Sequence, residues 1–324
     1  MKQLTLSGKI LEGVGGRYAV EIRAEGTEYH HTVLSCTPKG AFRHESLSPL
    51  PGDDVEVLLT LPDGDAAPSA VIRDIASRHN ALIRPPMANL DLLFVVFASA
   101  NPDPMPETID KLLLIAEHHD VTPVIVITKS ELNPERARTL RDTYATIHYP
   151  IFILSAATGE GIEEFRDFVY KEARGKISAF AGASGIGKST LINALFPHLS
   201  LETSEISRKT QRGRHTTRKV TLFPIRALGD APSDNTYLAD TPGFSMLDFV
   251  HFDFFDLEDL PYTFPEFRDH LGTCRYTGCT HLCEEGCSIV EAVKRGEIAA
   301  SRHSSYVALY DVLKKKHKWD KPKK

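Results

Sequence analysis

A glycine-rich loop in the middle of the chain has the residue types needed to hold the phosphates of a nucleotide. GASGIGKST, residues 182–190, follows an apolar strand and opens a helix, which is the context that the Walker A pattern requires. Its glycines let backbone N–H groups wrap the phosphates, Lys188 can meet the β and γ phosphates, and Ser189 can offer its hydroxyl to Mg²⁺. The alternative is a chance glycine-rich turn. The predicted contacts are Gly182, Ala183, Ser184, Gly185, Ile186, Gly187, Lys188, Ser189 and Thr190.

Two further loops are candidates for recognising the base. ITKSEL, residues 127–132, ends an apolar strand as a guanine-reading Asn-Lys-x-Asp loop does, with Thr in place of Asn and Glu in place of Asp. Lys129 can lie along the base, and Glu131 can accept from the guanine N1–H and 2-amino group. LSAATGEGI, residues 154–162, is similar to the Ser-Ala-x motif whose backbone contacts guanine O6. The predicted base contacts are Thr128, Lys129, Ser130, Glu131, Ser155 and Ala156.

The order of these motifs along the chain differs from that of a Ras-like GTPase. DTPG, residues 240–243, places Asp240 to reach Mg²⁺ through water and the Gly243 N–H to sense the γ phosphate. In a Ras-like enzyme the phosphate loop comes first, whereas here both base-reading loops precede it. The sequence therefore predicts a circular permutation in which the DTPG segment leads directly into the C-terminal domain.

A cysteine and histidine cluster near the C-terminus has metal-ligand spacing. CRYTGCTHLCEEGC places Cys274, Cys279, His281 and Cys287 within 14 residues. Three thiolates and one imidazole with no open position predict one structural, tetrahedral Zn²⁺. Cys283 is expected outside the shell, because His281 would otherwise have no role. A disulfide and a catalytic zinc are the alternatives.

Composition limits the class of protein. The chain has 324 residues, 42% of them apolar and 25% charged, which indicates two or three globular domains and excludes full disorder. Its longest apolar run has seven residues, too few to span a membrane, and the N-terminus lacks the apolar region of a secretory signal. We expect a cytoplasmic protein. Because the net charge is −5, any nucleic acid must be held by local patches.

The secondary-structure pattern predicts a multidomain chain. Five short strands in residues 1–76 favour an OB-like β-barrel over a small β-sandwich, and Pro85–Pro86 predicts an extended linker over 77–91. Over 92–246, about six apolar strands alternate with about five helices, which is typical of a doubly wound parallel sheet. Helices are expected around 105–119, 134–145, 161–173 and 188–196. Residues 247–324 are predicted to form a helical, zinc-binding domain with a basic tail.

Together these motifs resemble the circularly permuted, small-ribosomal-subunit-dependent GTPase family known as RsgA, YjeQ or YloQ. The resemblance covers nearly the whole chain, from the barrel through RPPMANLD, TKSEL, SAATGEGI, GASGIGKST, GRHTTR and DTPGF to the Cys/His cluster. It implies a late factor in maturation of the small ribosomal subunit that hydrolyses GTP to GDP when the subunit stimulates it. It also implies that the barrel and zinc domain contact ribosomal RNA, and we expect a monomer.

The resemblance also assigns roles in the switch segments. Thr216 or Thr217 of GRHTTR would supply a Mg²⁺ ligand. Phe244 stands where Ras-like enzymes carry a water-positioning Gln, so His215 becomes the candidate for placing the water, with a solvent-facing loop histidine as the alternative. Family members usually carry Asp at position 131, where this chain has Glu.

Local charge agrees with an RNA partner. Residues 204–219 hold six Lys or Arg and one Glu, and the chain from Asp311 onward holds seven Lys and two Asp. A solvated basic face is the alternative for each. Two other classes compete with the GTPase interpretation: a P-loop ATPase or kinase, and an RNA-binding scaffold that does not hydrolyse its nucleotide.

Overall fold

The computed structural model describes residues 2–43, 48–63, 67–83, 85–196, 220–228, 231–240 and 256–315. Its contacts divide the chain into two compact units. The first unit comprises Met1–Leu92, Tyr170–Phe180 and Leu201–Gly243, and the second comprises Leu93–Val169, Ala181–Ser200 and Phe244–Lys324. Six strands form the mixed sheet of the nucleotide-binding domain, and three of them fall in each unit.

The first unit begins with a closed five-stranded barrel, which confirms the predicted OB-like fold. Its strands are hydrogen-bonded in the order β1-β2-β3-β5-β4. Only β3 and β5 run parallel, and the other pairs are antiparallel. Alternate residues point inward, so Ile10, Val20 and Ile72 are fully buried. The strands are β1 (Lys2–Val14), β2 (Arg17–Ile22), β3 (Val33–Pro38), β4 (Asp54–Leu61) and β5 (Ser69–Ile75).

The segment after the barrel is extended, as the proline pair predicts. Strands β6 (Ala81–Ile83) and β7 (Pro86–Ala88) pair antiparallel. The buried Asn89 amide donates to the Gly52 carbonyl over 3.0 Å. Gly52 itself has a φ of +95°, and a Cβ there would lie 2.0 Å from the Ala88 carbonyl oxygen, so only glycine fits. This segment is therefore packed on the barrel.

Three strands of the sheet belong to the first unit: β11 (Ile177–Ala181), β13 (Ala231–Asp240) and β12 (Thr221–Leu228), in that order. β11 and β13 are parallel. β12 is antiparallel to β13, so the expected parallel sheet is mixed. The reason is chain length, because two residues between these strands permit a hairpin and no crossover.

The second unit holds the other three strands of the sheet and the helices that follow them. All seven side chains of β8 are buried, which is typical of a strand covered on both faces. Helices α1 and α2 each begin with proline, and the Asn133 side chain caps α2 by accepting from the Arg136 N–H. The elements are β8 (Leu92–Ala98), α1 (Pro106–His118), β9 (Thr122–Thr128), α2 (Pro134–Ala145), β10 (Ile151–Ile153), α3 (Ile162–Glu172) and α4 (Lys188–Leu195).

The C-terminal part of the second unit is helical around an aromatic core. Two 3₁₀ turns, Leu260–Thr263 and Pro265–His270, precede α5 (Ser288–Lys294) and α6 (Ala300–Lys315). Phe264, Phe267 and Tyr306 pack together with ring centroids 4.9–5.4 Å apart. Within the described ranges, no helix is both long enough and apolar enough to cross a membrane.

Candidate nucleotide-binding site and metal centre

The phosphate loop has a shape that only glycine permits at its first position. A Cβ on Gly182, whose φ is +147°, would lie 2.1 Å from the Val96 carbonyl oxygen of β8. Gly185 and Gly187 also have positive φ, at +79° and +94°, and Gly187 is the N-cap of α4. The loop is exposed at Ala183–Gly185, so its backbone N–H groups and the helix N-terminus can face a ligand.

Lys188 lies at the centre of this loop. Its ammonium donates to the carbonyls of Gly182 and Ala183, over 2.5 and 2.7 Å. Burial lowers the pKa of Lys188 from its ordinary value. A phosphate beside the ammonium would favour its charged form, so this position suits an anionic ligand. Ser189 and Thr190 are exposed in the first turn of α4.

The first base-reading loop is fixed directly to the phosphate loop. The Thr128 hydroxyl, 7% exposed, donates to the Ile186 carbonyl over 2.6 Å. Lys129 has a left-handed backbone, and its ammonium donates to the carbonyls of Gly185, over 2.7 Å, and Asn101. Thr128 therefore makes a structural tie with its hydroxyl. Glu131 is exposed in the 3₁₀ turn Ser130–Leu132 that follows.

The second base-reading loop is fixed to the first one. The Ser130 N–H donates to the Leu154 carbonyl over 3.1 Å, and the Ser130 hydroxyl donates to the Glu160 carboxylate over 3.1 Å. Ser155 is fully buried, and its hydroxyl accepts from the Thr158 N–H, which closes the turn and leaves Ala156 exposed. The structure thus brings the predicted base-reading residues and the phosphate loop to one place in the second unit.

Asp240 is the last residue of β13, opposite Thr221 of β12 in the first unit. Burial raises the pKa of its carboxyl group, and a cation beside it would reverse that shift. His215, Thr216, Thr217, Gly243 and Phe244 lie outside the described residues.

The four predicted metal ligands come together in the second unit. Their ligand atoms all lie within 4.8 Å of one another. The Cys274 sulfur is 3.9 Å from that of Cys287, and both sulfurs lie 3.5–3.6 Å from Nδ1 of His281. A zinc tetrahedron has S–S edges of about 3.8 Å and S–N edges of about 3.5 Å, given its usual bond lengths, so the group fits a metal. Cys283 is exposed and outside this group.

Comparison with known proteins gives the family. Residues 75–250 match the RsgA GTPase model, and residues 7–63 match the RsgA N-terminal domain model. The chain is 36% identical to "Small ribosomal subunit biogenesis GTPase RsgA" of Ruminiclostridium cellulolyticum, over 95% of this chain and 93% of that protein. It is 37% identical to the protein of the same name from Agathobacter rectalis, over 97% and 100%.

This chain is a member of the RsgA GTPase family.

Solved structures agree with this assignment. YjeQ from Thermotoga maritima has a TM-score of 0.75 and 33% identity, covering 97% of this chain and 100% of that one. YloQ, described as a circularly permuted GTPase, has a TM-score of 0.71 and 29% identity, covering 99% and 98%. The order of loops in this RsgA-family chain is the permuted order, with both base-reading loops before the phosphate loop.

Several residues that build the RsgA site were missed by sequence reasoning. The Ser99 hydroxyl donates to the Lys129 carbonyl over 2.7 Å, and the Asn101 carbonyl accepts from the Lys129 ammonium. Their signal was their place directly after buried strand β8, since ligand-binding residues of an open α/β sheet follow the carboxyl ends of its strands.

A second missed group supports the metal centre. The His303 ring nitrogen Nε2 lies 2.8 Å from the His281 carbonyl, and the Tyr306 hydroxyl donates to the Thr280 carbonyl over 2.8 Å. The Glu284 carboxylate accepts from the Thr280 and Leu282 N–H groups over 2.8–2.9 Å. Burial alone would raise the pKa of Glu284, but these hydrogen bonds lower it to about 2. The loop is therefore held by its own acceptor and by α6.

Proposed function

We propose that this chain hydrolyses GTP to GDP and phosphate and acts in late maturation of the small ribosomal subunit, whose RNA it contacts through the barrel and the zinc domain. Membership in the RsgA family and the names of its relatives support this proposal. The observation that carries it is the pair of hydrogen bonds from Thr128 and Lys129 to the phosphate loop. These bonds hold a base-reading loop and a phosphate cradle as one rigid site.

Each part of the nucleotide has its candidate residues. Residues 182–190 hold the phosphates with backbone N–H groups and the Lys188 ammonium, and the base meets Thr128–Glu131 and Ser155–Ala156. The Glu131 carboxylate accepts from guanine and so favours it over adenine. Because the hydroxyl and carboxylate oxygens of Ser189 and Asp240 are ligands that Mg²⁺ prefers, these residues and one of Thr216 and Thr217 would hold that ion, with the Gly243 N–H on the γ phosphate. Bound Mg²⁺ neutralises charge on the phosphates.

Positioning of the attacking water falls to His215 in this proposal. Phe244 follows DTPG, and its apolar ring cannot orient water. A histidine in the first switch loop can, once the subunit orders that loop. We therefore expect His215→Ala to keep GTP affinity and the low basal rate, and to lose most of the stimulated rate.

The remaining groups serve the structure and its partner. One Zn²⁺ on Cys274, Cys279, His281 and Cys287 stabilises the C-terminal loop, because a short loop with few apolar residues gains its folding free energy from the metal. The chain works as a monomer in the cytoplasm, where its basic segments contact RNA phosphates.

The test is GTP turnover with and without purified small subunits. Wild-type chain should be slow alone and faster with subunits, and Lys188→Ala should lose nucleotide binding or turnover. Lys171→Ala is the matched control, since that side chain is 83% exposed and outside the site. Equal turnover with and without subunits would contradict the proposal.

Two measurements separate the competing functions. GTP should displace labelled GDP at lower concentration than ATP does, whereas equal displacement would indicate an ATPase or kinase. Single-turnover hydrolysis on subunits should exceed that of free chain, whereas bound GTP that survives intact would indicate a scaffold.

A further inference from the structure

Exposed aromatic side chains are confined to one part of the described chain. Among the described phenylalanines and tyrosines, only Tyr262 and Tyr276 are exposed, by 65% and 51%, and both precede or belong to the metal loop of the second unit. Leaving an aromatic ring in water forgoes free energy that burial would supply. Tyr276 lies between the first two metal ligands, Cys274 and Cys279.

Tyr276 differs from Tyr262 because an arginine is placed against its ring. The Arg275 guanidinium carbon lies 5.4 Å from the centre of the Tyr276 ring, which is within cation–π range. The Arg275 N–H donates to the Gly286 carbonyl over 2.9 Å. A Cβ on Gly286, whose φ is +76°, would lie 2.8 Å from Cβ of Arg275, so the arginine stem occupies the space that glycine leaves.

The surroundings of the pair do not suit a protein partner. Protein hot spots lie in well-packed pockets with other groups around them that exclude water, and the two tyrosines are the only large exposed apolar side chains described beyond residue 255. Glu285 lies 3.7 Å from Arg275 but is 89% exposed, and such a pair contributes little. An isolated ring with a cation beside it instead suits a flat, polar ligand.

We propose that Arg275 and Tyr276 form a stacking platform for one unpaired nucleobase of RNA. The base lies on the exposed face of the Tyr276 ring, and the Arg275 guanidinium contacts the adjoining phosphate. Single-stranded RNA is recognised in this way, because every base has an aromatic face. The platform rests on the proposed function and deepens it, since it names the chemical feature of the subunit that the metal loop recognises.

The test compares Tyr276→Leu with Tyr276→Phe in the full, zinc-loaded chain. Leucine keeps apolar area and removes the aromatic face, and we expect it to weaken binding to purified small subunits by about 5- to 150-fold, the usual effect of losing one stacked base. Phenylalanine should bind like wild type, and so should Tyr262→Leu, the matched control without an arginine. Retention of one zinc per chain shows that each variant is folded at the loop.

Two further readouts distinguish stacking from a damaged loop. The slope of log affinity against log salt should stay unchanged in Tyr276→Leu and become shallower in Arg275→Gln, because only phosphate contacts release counterions. Ultraviolet cross-linking of wild-type chain on the subunit should join residue 276 to RNA. A cross-link to a ribosomal protein, or equal affinity of wild type and Tyr276→Leu, overturns the platform.

A second probe keeps the platform testable if the proposed function fails. Should wild-type chain not bind subunits at all, the proposed function is wrong, and single-stranded oligo(A) then decides. On that probe wild type and Tyr276→Phe must bind more tightly than Tyr276→Leu, and equal binding overturns the platform.

Discussion

Each unit joins three strands of the sheet to a flanking domain, and each does so around a buried carboxylate. In the first unit, Glu21 of the barrel is fully buried and accepts from the Tyr237 hydroxyl over 2.7 Å and from the Arg226 guanidinium. In the second unit, Asp110 of α1 accepts from Arg302 of α6 over 2.7 Å and from the Tyr144 hydroxyl over 3.1 Å.

The two carboxylates differ in how far their cations are removed from water. The Arg226 side chain is 40% exposed, whereas Arg302 is 1% exposed and also pairs with the Glu266 carboxylate over 2.7 Å. Burial alone would lower the pKa of Arg302, but its two carboxylates raise it. A desolvated cation between two anions cannot be replaced by water, so the second unit depends on single residues more strongly than the first.

Loss of the metal should give the largest effect and confine it to the second unit. Cys279→Ser removes a ligand, and structural zinc contributes about 10–16 kcal/mol to comparable small sites. We expect zinc content to fall from one per chain to none, and amide hydrogen exchange to become rapid over residues 274–287 while the barrel stays protected.

Cys283→Ser is the matched control for that prediction, because this exposed thiol lies outside the ligand group. It should retain the metal. Zinc loss from the Cys283 variant would place that residue in the shell and contradict the assignment.

Arg302→Leu should be the next most disruptive change. It leaves Asp110 and Glu266 buried without their cation, and breaking a buried pair in this way costs about 3–5 kcal/mol. Hydrogen exchange should accelerate in α1 and α6 and remain unchanged in the barrel. Arg295→Leu removes an arginine that pairs with Glu297 on the surface and should change neither. Equal protection in wild type and Arg302→Leu would show that packing alone holds α6.

Glu21→Gln tests the corresponding group of the first unit. The amide keeps an acceptor for Tyr237 but loses the charge that faces Arg226, so the expected loss is about 1–3 kcal/mol, the usual penalty for a mismatched buried polar group. Exchange in β12 and β13 should report it. Glu25→Gln, in an exposed turn, is the control. A loss as large as that of Arg302→Leu would remove the difference between the units.

Acid should affect α1 by the smallest amount. Burial lowers the pKa of His119, at the end of α1, to about 4 from an ordinary 6.5. The neutral ring is therefore favoured by the fold, and its contribution is complete above pH 6.5 and is lost as the pH falls towards 4. Exchange in α1 should rise over that window in wild type and rise less in His119→Asn. Parallel pH profiles would exclude His119 as the titrating group.

Sequence reasoning located what is contiguous and missed what is distant. The phosphate loop and the metal cluster each occupy a short stretch whose spacing dictates their chemistry, and the described residues of both come together as expected. Glu21 and Arg226 are 205 residues apart, and Asp110 and Arg302 are 192 apart, so no local pattern pairs them. Asp110 offered one signal, since it interrupts the buried face of α1 beside Ile109 and Leu113.

The Thr128 position shows a different limit. Replacement of Asn by Thr was taken from the sequence as a weaker match to the guanine-reading motif. The structure shows the threonine hydroxyl bonded to the Ile186 carbonyl, so the residue ties two loops together. A motif comparison scores identity of residues, whereas the fold requires only a donor at that place.

The Glu284 carboxylate has a consequence for the speed of metal capture. By accepting from the backbone of Thr280 and Leu282, it curves the chain around the ligands before any ion arrives. An ion then meets a largely assembled claw, and less chain entropy is lost on its arrival. Uptake of zinc by the apo chain should therefore approach the rate of ion encounter, so that newly made chains can acquire the metal from a scarce pool ahead of floppier thiol clusters.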